Sequence, residues 1–350
     1  MSPKDDVQFL ALLVHRGYLE RNHAEKLLPR LKQGDALDPL LTELLGWDGD
    51  RVDKLRVTRA GEDPRIPGYD ILGRLGVGGT SEVFRARDKK SQGTVALKIL
   101  NVRSTRQKRA LASFVEEVRT LTSLDHPGLC KGYGIKKSGD TYFAVLELIE
   151  GRTLLEHIDE EQSFPEDTAL RIVLEVADVL AYLDREGFVH RDVKPGNIML
   201  TSSGQVKLID LGFCAKKGEF NPEGTATGTG EYLAPEQAMG GACADLRSDV
   251  YSLGATLFQM TVGRLPFEPG DDEDVLRKHV LEALRSPELK GRGFSHQLHY
   301  FIDKMMSKDA DHRYQTWEEL LDGIRGQLEG KLAADWRGAT TPRSNSRRRT

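Results

Sequence analysis

The chain has 350 residues, 39% of them apolar and 30% charged, with 50 Lys plus Arg against 54 Asp plus Glu. That length supports two or three folding units with a sizeable core, and a net charge of −4 gives a nucleic-acid partner no support from bulk charge. Cys130, Cys214 and Cys243 are scattered without metal-ligand spacing, the pattern of a reducing compartment. No apolar run reaches the ~18 residues of a membrane span, and the polar, acidic start is unlike a signal peptide. A cytoplasmic location is expected.

Residues 1–57 read as a small helical accessory domain. Phe9, Leu10, Leu13 and Val14 share one helix face. Asn22 is placed to cap a second helix carrying Ala24, Leu27, Leu28 and Leu31. Asp38-Pro39 opens a third, with Pro39 suited to the first helical position, and Asp50 a fourth through Val52 and Leu55. Helices this short need packing partners. Residues 58–68, with prolines, glycines and mixed charge, read as a linker.

From Tyr69 the period shortens to that of strands: 69–75, 82–87, 94–100 and 141–147, with a helix over 108–124 between the last two. After residue 150 the pattern turns helical; Ala169, Ile172, Val173, Val176, Ala177, Leu180 and Leu183 form one apolar stripe. A strand-rich half followed by a helical half predicts two lobes with a cleft between them. Residues 331–350 read as a basic disordered tail, since from Trp336 onward arginines occur without acids.

Three groups of residues carry chemistry. The glycine loop Leu75-Gly-Val-Gly-Gly-Thr-Ser-Glu-Val83 lies between two strands, which argues against a dinucleotide site, where a helix should follow. Its glycines let the backbone approach phosphates, although a plain hairpin turn fits equally. Lys98, inside the apolar run Val95-Ala-Leu-Lys-Ile-Leu100, needs an anionic partner unless it faces solvent; Glu117 or nucleotide phosphates could serve. His190-Arg-Asp-Val-Lys-Pro-Gly-Asn197, followed by Ile209-Asp-Leu-Gly212, offers a carboxylate for a substrate hydroxyl, a lysine for a travelling phosphate and two oxygen-bearing side chains for metal. That is equipment for phosphoryl transfer.

These motifs, in this order, resemble the eukaryotic-type protein kinases, and more closely the bacterial serine/threonine kinases, over about residues 69–325. The resemblance implies an α+β bilobal fold at 69–330. A small antiparallel sheet lobe with one helix occupies 69–149, and a larger helical lobe 150–330, preceded by the all-α domain. It implies that Gly76, Gly78 and the backbone up to Val83 cover the ATP phosphates, that Leu75 also contacts the nucleotide, and that Lys98 holds the α- and β-phosphates while paired with Glu117. Leu146 is the gatekeeper. Glu147 to Ile149 form the adenine hinge, and Val83, Ala96 and either Met199 or Leu200 sandwich the ring. Asp192 accepts the hydroxyl proton, Lys194 balances charge on the phosphoryl group, and Asn197 and Asp210 bind Mg2+. Thr229 bonds Asp192 and Lys194, Glu236 pairs with Arg313, Asp249 anchors the loop, and Arg191 meets a phosphate on Thr225 or Thr227.

The implied activity is ATP-dependent phosphorylation of protein serines and threonines, with autophosphorylation of the activation segment. The alternative is a catalytically weak nucleotide-binding scaffold, a pseudokinase. Expected partners are a protein substrate and a partner or ligand for the N-terminal helices. Gly132 departs from the family by standing where an apolar side chain is usual, so a void or a neighbour such as Tyr133 is expected there. Thr153 and Gly196 occupy positions that carry acids in arginine-directed kinases.

Overall fold

The structure, a computed structural model, describes residues 6–7, 9–10, 13–14, 19, 21–32, 35–47, 52, 64–101, 105, 108–218, 230–240, 244–267, 272–282, 284 and 293–340. The chain falls into two compact units, residues 1–71 and 72–350. The division lies inside the first strand, beyond the 58–68 stretch.

The first unit is built on helices α1 (Arg21–Lys32) and α2 (Leu37–Leu45). Its core gathers Phe9, Leu10, Leu13, Leu27, Leu31 and Leu41, closed by the buried Trp47. Two capping expectations are corrected. Asn22 lies within α1, which starts at Arg21. α2 starts at Leu37, not at Pro39, and Ala36 before it is extended and offers no side-chain cap. The orphan Leu37 N–H is taken instead by the buried Asp6 carboxylate at 2.9 Å, a long-range cap that local spacing cannot show. Gly46, at φ 65°, ends α2.

The second unit opens with a five-stranded sheet in the order β1-β2-β3-β5-β4, comprising β1 (Tyr69–Val77), β2 (Ser81–Asp88), β3 (Thr94–Leu100), β4 (Gly132–Ser138) and β5 (Thr141–Leu146). Helix α3 (Lys108–Ser123) joins β3 to β4 and buries Phe114, Glu117, Val118 and Leu121 along one face. β4 was not read from the sequence. Its glycines weaken strand propensity, and a bulge between Gly132 and Gly134 breaks the alternation. The void expected at Gly132 is absent, because α3 itself lies against the glycine, and Tyr133 is 55% exposed and does not fill the place.

The helical lobe follows. β6 (Gly151–Thr153) leads into α4 (Leu154–Glu161) and α5 (Glu166–Arg185). Short strands β7 (Phe188–Val189), β8 (Ile198–Thr201), β9 (Val206–Leu208) and β10 (Ala215–Lys216) then frame the cleft floor, with β6-β8-β9 in one small sheet and β7 paired to β10. After them come α6 (Pro235–Ala238), α7 (Leu246–Val262), α8 (Asp272–Leu281), α9 (His296–Met305) and α10 (Trp317–Thr340). α5 buries the whole predicted stripe. α7 buries every residue from Ser248 to Val262, as expected of the central rod of a helical core. α10 continues to Thr340, which corrects the reading of disorder from residue 331; Lys331-Leu-Ala-Ala334 favour helix and no proline intervenes before Pro342. Cys130 and Cys214 are free thiols, each pushed up to about 12, foremost by burial. No described helix is long and apolar enough to cross a membrane.

Candidate active site

The loop from His190 to Asn197 is strung between β7 and β8, and Asp210 stands just past β9. Backbone bonds fix these segments to one another. Ile209 N–H donates to Asn197 O at 3.0 Å, and Leu208 both donates to Gly128 O and accepts from Cys130 N–H at 2.8 Å. Beneath the loop, the buried Asp249 carboxylate on α7 accepts from His190 N–H at 2.8 Å and Arg191 N–H at 2.7 Å. Burial pushes Asp249 up to about 7, opposed by those two N–H groups and by Arg191. Arg191 is held at φ 69°, the strained point at which the loop reverses.

This scaffold brings the predicted groups together. The Asp192 carboxylate accepts from Lys194 Nζ at 2.8 Å and from Asn197 Nδ2 at 2.8 Å. Asn197 Nδ2 also donates to Asp192 O at 2.8 Å. With its amide nitrogen so engaged, Asn197 presents its oxygen as the remaining ligand atom. Across the cleft, Lys98 Nζ lies 2.5 Å from Glu117 Oε1 and 3.4 Å from Asp210 Oδ1. Asp210 Oδ1 also accepts from Gly212 N–H at 2.9 Å, and the side chain is 37% exposed.

The electrostatics follow from these contacts. Burial opposes the charge on Lys98, but Asp210 and Glu117 outweigh it and hold the ammonium above its ordinary pKa. Burial raises Asp210, and Lys98 with the Gly212 N–H overcomes it, keeping the carboxylate ionised. Glu117 is pushed up to about 7 by burial, with Lys98 lowering it and Asp210 raising it. The donor set of Asp210 and the Asn197 amide oxygen suits a hard divalent cation. Among the described residues no group of three or more His, Cys, Asp or Glu forms a metal cage.

The glycine loop is tied at its tip. Asn101, just past β3, donates from its backbone to Thr80 O at 2.9 Å and from its amide to Gly79 O at 3.2 Å, while Gly78 N–H bonds Ser81 O at 2.8 Å. Sequence reasoning missed Asn101 because its partners are backbone carbonyls. Asn101→Ala is expected to raise KM for ATP about fivefold with kcat little changed, the loss of one modest hydrogen bond from loop order; steady-state kinetics at varied ATP check it.

Leu75 and Gly76 lie exposed near the end of β1, Val83 and Ala96 sit on β2 and β3, and Leu146 is buried where β5 pairs with Ala96. The Glu147 side chain is engaged within the protein: its carboxylate takes Lys207 Nζ at 2.8 and 2.9 Å and Lys131 N–H at 3.1 Å. The Ile149 backbone makes no backbone hydrogen bond among the described residues. Leu211 is buried in the core. Thr153 caps α4 in a reciprocal bond with Glu156, which explains a threonine at that position. Thr225, Thr227 and Thr229 lie outside the described residues.

A two-lobed fold with this cleft defines a protein kinase, and the family's model, described as protein kinase domain, matches residues 69–323. The chain belongs to the protein kinase family. It is similar to a probable serine/threonine-protein kinase of Streptomyces coelicolor, 33% identical over 77% of this chain and 42% of that one. Serine/threonine-protein kinase PrkC of Bacillus subtilis is 32% identical over 75% of this chain and 41% of its own, and serine/threonine-protein kinase PknB of Mycobacterium leprae 33% over 72% and 42%. The chain thus spans about two fifths of the length of the curated relatives it matches. Protein kinases as a family use ATP and a divalent metal and act on proteins.

Proposed function

We propose that the chain is an ATP-dependent serine/threonine protein kinase, using Mg2+ and acting in the cytoplasm, that autophosphorylates Thr225 or Thr227. The observation that carries the reading is the joining of Asp192, Lys194 and Asn197 by bonds of 2.8 to 3.1 Å, with Asp210 tied to the Lys98–Glu117 pair. In this reading Asp192 orients the substrate hydroxyl and accepts its proton. Lys194 meets the charge on the transferred group, and Lys98 holds the inner phosphates. Asn197 and Asp210 hold the metal, which screens phosphate charge. Positioning dominates, so Asp192 needs no unusual basicity.

Several details support the assignments. Lys194, two residues after Asp192, fits the serine/threonine class, as do the names of the relatives. Along β8, Ile198 and Leu200 pack toward the helical core, so strand alternation turns Met199 to the other face and supports it, over Leu200, as the floor of the adenine pocket. The open Ile149 backbone suits adenine bonding. Nothing in the geometry favours a pseudokinase, because each required group is present. The 1–57 unit is read as a docking domain for a partner.

Mass spectrometry of the purified protein after incubation with ATP and Mg2+ tests the reading. Phosphate on Thr225 or Thr227, absent with EDTA and absent in Asp192→Asn, is expected. Equal incorporation in wild type and Asp192→Asn overturns the enzyme reading; incorporation only elsewhere overturns the activation-segment assignment.

A further inference from the structure

We propose that Gly132 is a positioning residue that seats α3 so that Glu117 reaches Lys98. This rests on the reading of Lys98 as the phosphate-holding lysine. Gly132 opens β4 and pairs with Leu146 on β5, which in turn pairs with Ala96 on β3, two residues from Lys98. On its other side lies the end of α3. A Cβ added at Gly132 stands 3.0 Å from Leu121 C, 3.0 Å from Leu121 Cβ and 3.1 Å from Thr122 N. These are main-chain atoms and the root of a side chain, not the movable end of one. A side chain at this position therefore requires the end of the helix or the strand to give by a few tenths of an ångström, and a branched one by more.

The seat and the ion pair share one face of the helix. Leu121 follows Glu117 by four residues, one turn or roughly 6 Å along the axis. Glu117 is 8% exposed, and its carboxylate lies 2.5 Å from Lys98 Nζ. A shift of the helix at Leu121 lengthens that contact directly. The strand is shaped for the seat as well. Its register slips between Gly132 and Gly134, Gly134 adopts φ 127°, and Tyr133 is turned outward. Bulge and glycine together clear the place that a side chain takes in an ordinary strand.

The test compares wild type, Gly132→Ala, Gly132→Val, Glu117→Gln and the Gly132→Val/Glu117→Gln double variant in the full chain. Two readouts are taken: kcat/KM for ATP, and amide hydrogen exchange of residues 108–123. Gly132→Val is expected to lower kcat/KM on the order of 100-fold, the usual effect of misplacing a clamp by about 1 Å. Gly132→Ala is expected to lower it about fivefold and to speed exchange in α3. Glu117→Gln, costing about tenfold alone, is expected to cost less than about twofold in the Gly132→Val background, since the pair is already broken. Full activity in Gly132→Val, or an undiminished Glu117→Gln cost there, overturns the proposal. Where Gly132→Val shows no cooperative unfolding, Gly132→Ala decides; wild-type kinetics and wild-type α3 exchange in that variant also overturn it. If wild type transfers no phosphate, the kinase reading fails, while α3 exchange still reports on the seat.

Discussion

Asp192→Asn lowers kcat for phosphoryl transfer on the order of 10³-fold, with the Kd for nucleotide unchanged within about threefold. The carboxylate stands between two donors, Lys194 Nζ and Asn197 Nδ2, each 2.8 Å away. An asparagine keeps the size but cannot take up a proton, and it removes one negative charge beside Lys194. The groups assigned to the nucleotide, from Lys98 to the 147–149 segment, are not touched by the change. The loss should therefore fall on kcat and spare nucleotide affinity, as for a group that acts in the transition state. Rapid-quench kinetics beside fluorescent-nucleotide binding separate the two. A parallel loss of affinity would instead show that the loop has collapsed.

Arg313→Ala destabilises the helical lobe by about 3–5 kcal/mol, the usual cost of leaving a buried charge without its partner, and lowers Tm on the order of 10 °C. The Arg313 side chain is fully buried. It makes a bidentate pair with Glu236 at 2.8 and 2.9 Å and donates to the carbonyls of Ser307, Arg247 and Lys308. One planar fork thus ties α6, the start of α7 and the turn after α9. Arg313→Lys keeps the charge but not the fork, and it should lose most of the same stability. Burial pushes the Glu236 carboxyl up, but its bonds to Arg313 and Ser248 outweigh this and hold it below the ordinary value. A lowered acid stabilises the fold above its unfolded pKa of about 4.3 and loses that contribution as pH falls through the lower folded value. Glu236→Gln should flatten this acid limb. Thermal melts from pH 3 to 7 check both the size and the sign.

The catalytic elements were legible because they are local. The residues from His190 to Asn197 are contiguous, so their closeness was evident in the sequence, while their roles came from the family resemblance. An ammonium in an apolar strand needs a counter-charge, which left Glu117 or nucleotide phosphates as candidates for Lys98; the family resemblance singled out Glu117. What escaped was set by distant backbone. The α2 cap comes from Asp6, 31 residues earlier, and no local pattern marks it. β4 carries Gly132 for helix approach and Gly134 for the positive φ at its bulge, so propensity spoke against a strand. Gly132 was read as a missing side chain, when the helix backbone fills the place. Asn101 binds carbonyls, which leave no mark on residue type. The end of α10 was misread because arginine-rich composition was weighed above the helix formers before it.

A crystal structure of the chain with Mg2+ and a non-hydrolysable ATP analogue tests the central claim most directly. The account predicts metal held by Asp210 and the Asn197 oxygen, inner phosphates on Lys98, and the terminal phosphate within reach of Lys194 with Asp192 beside it. A nucleotide bound away from these groups, or a metal held without Asp210, would contradict it.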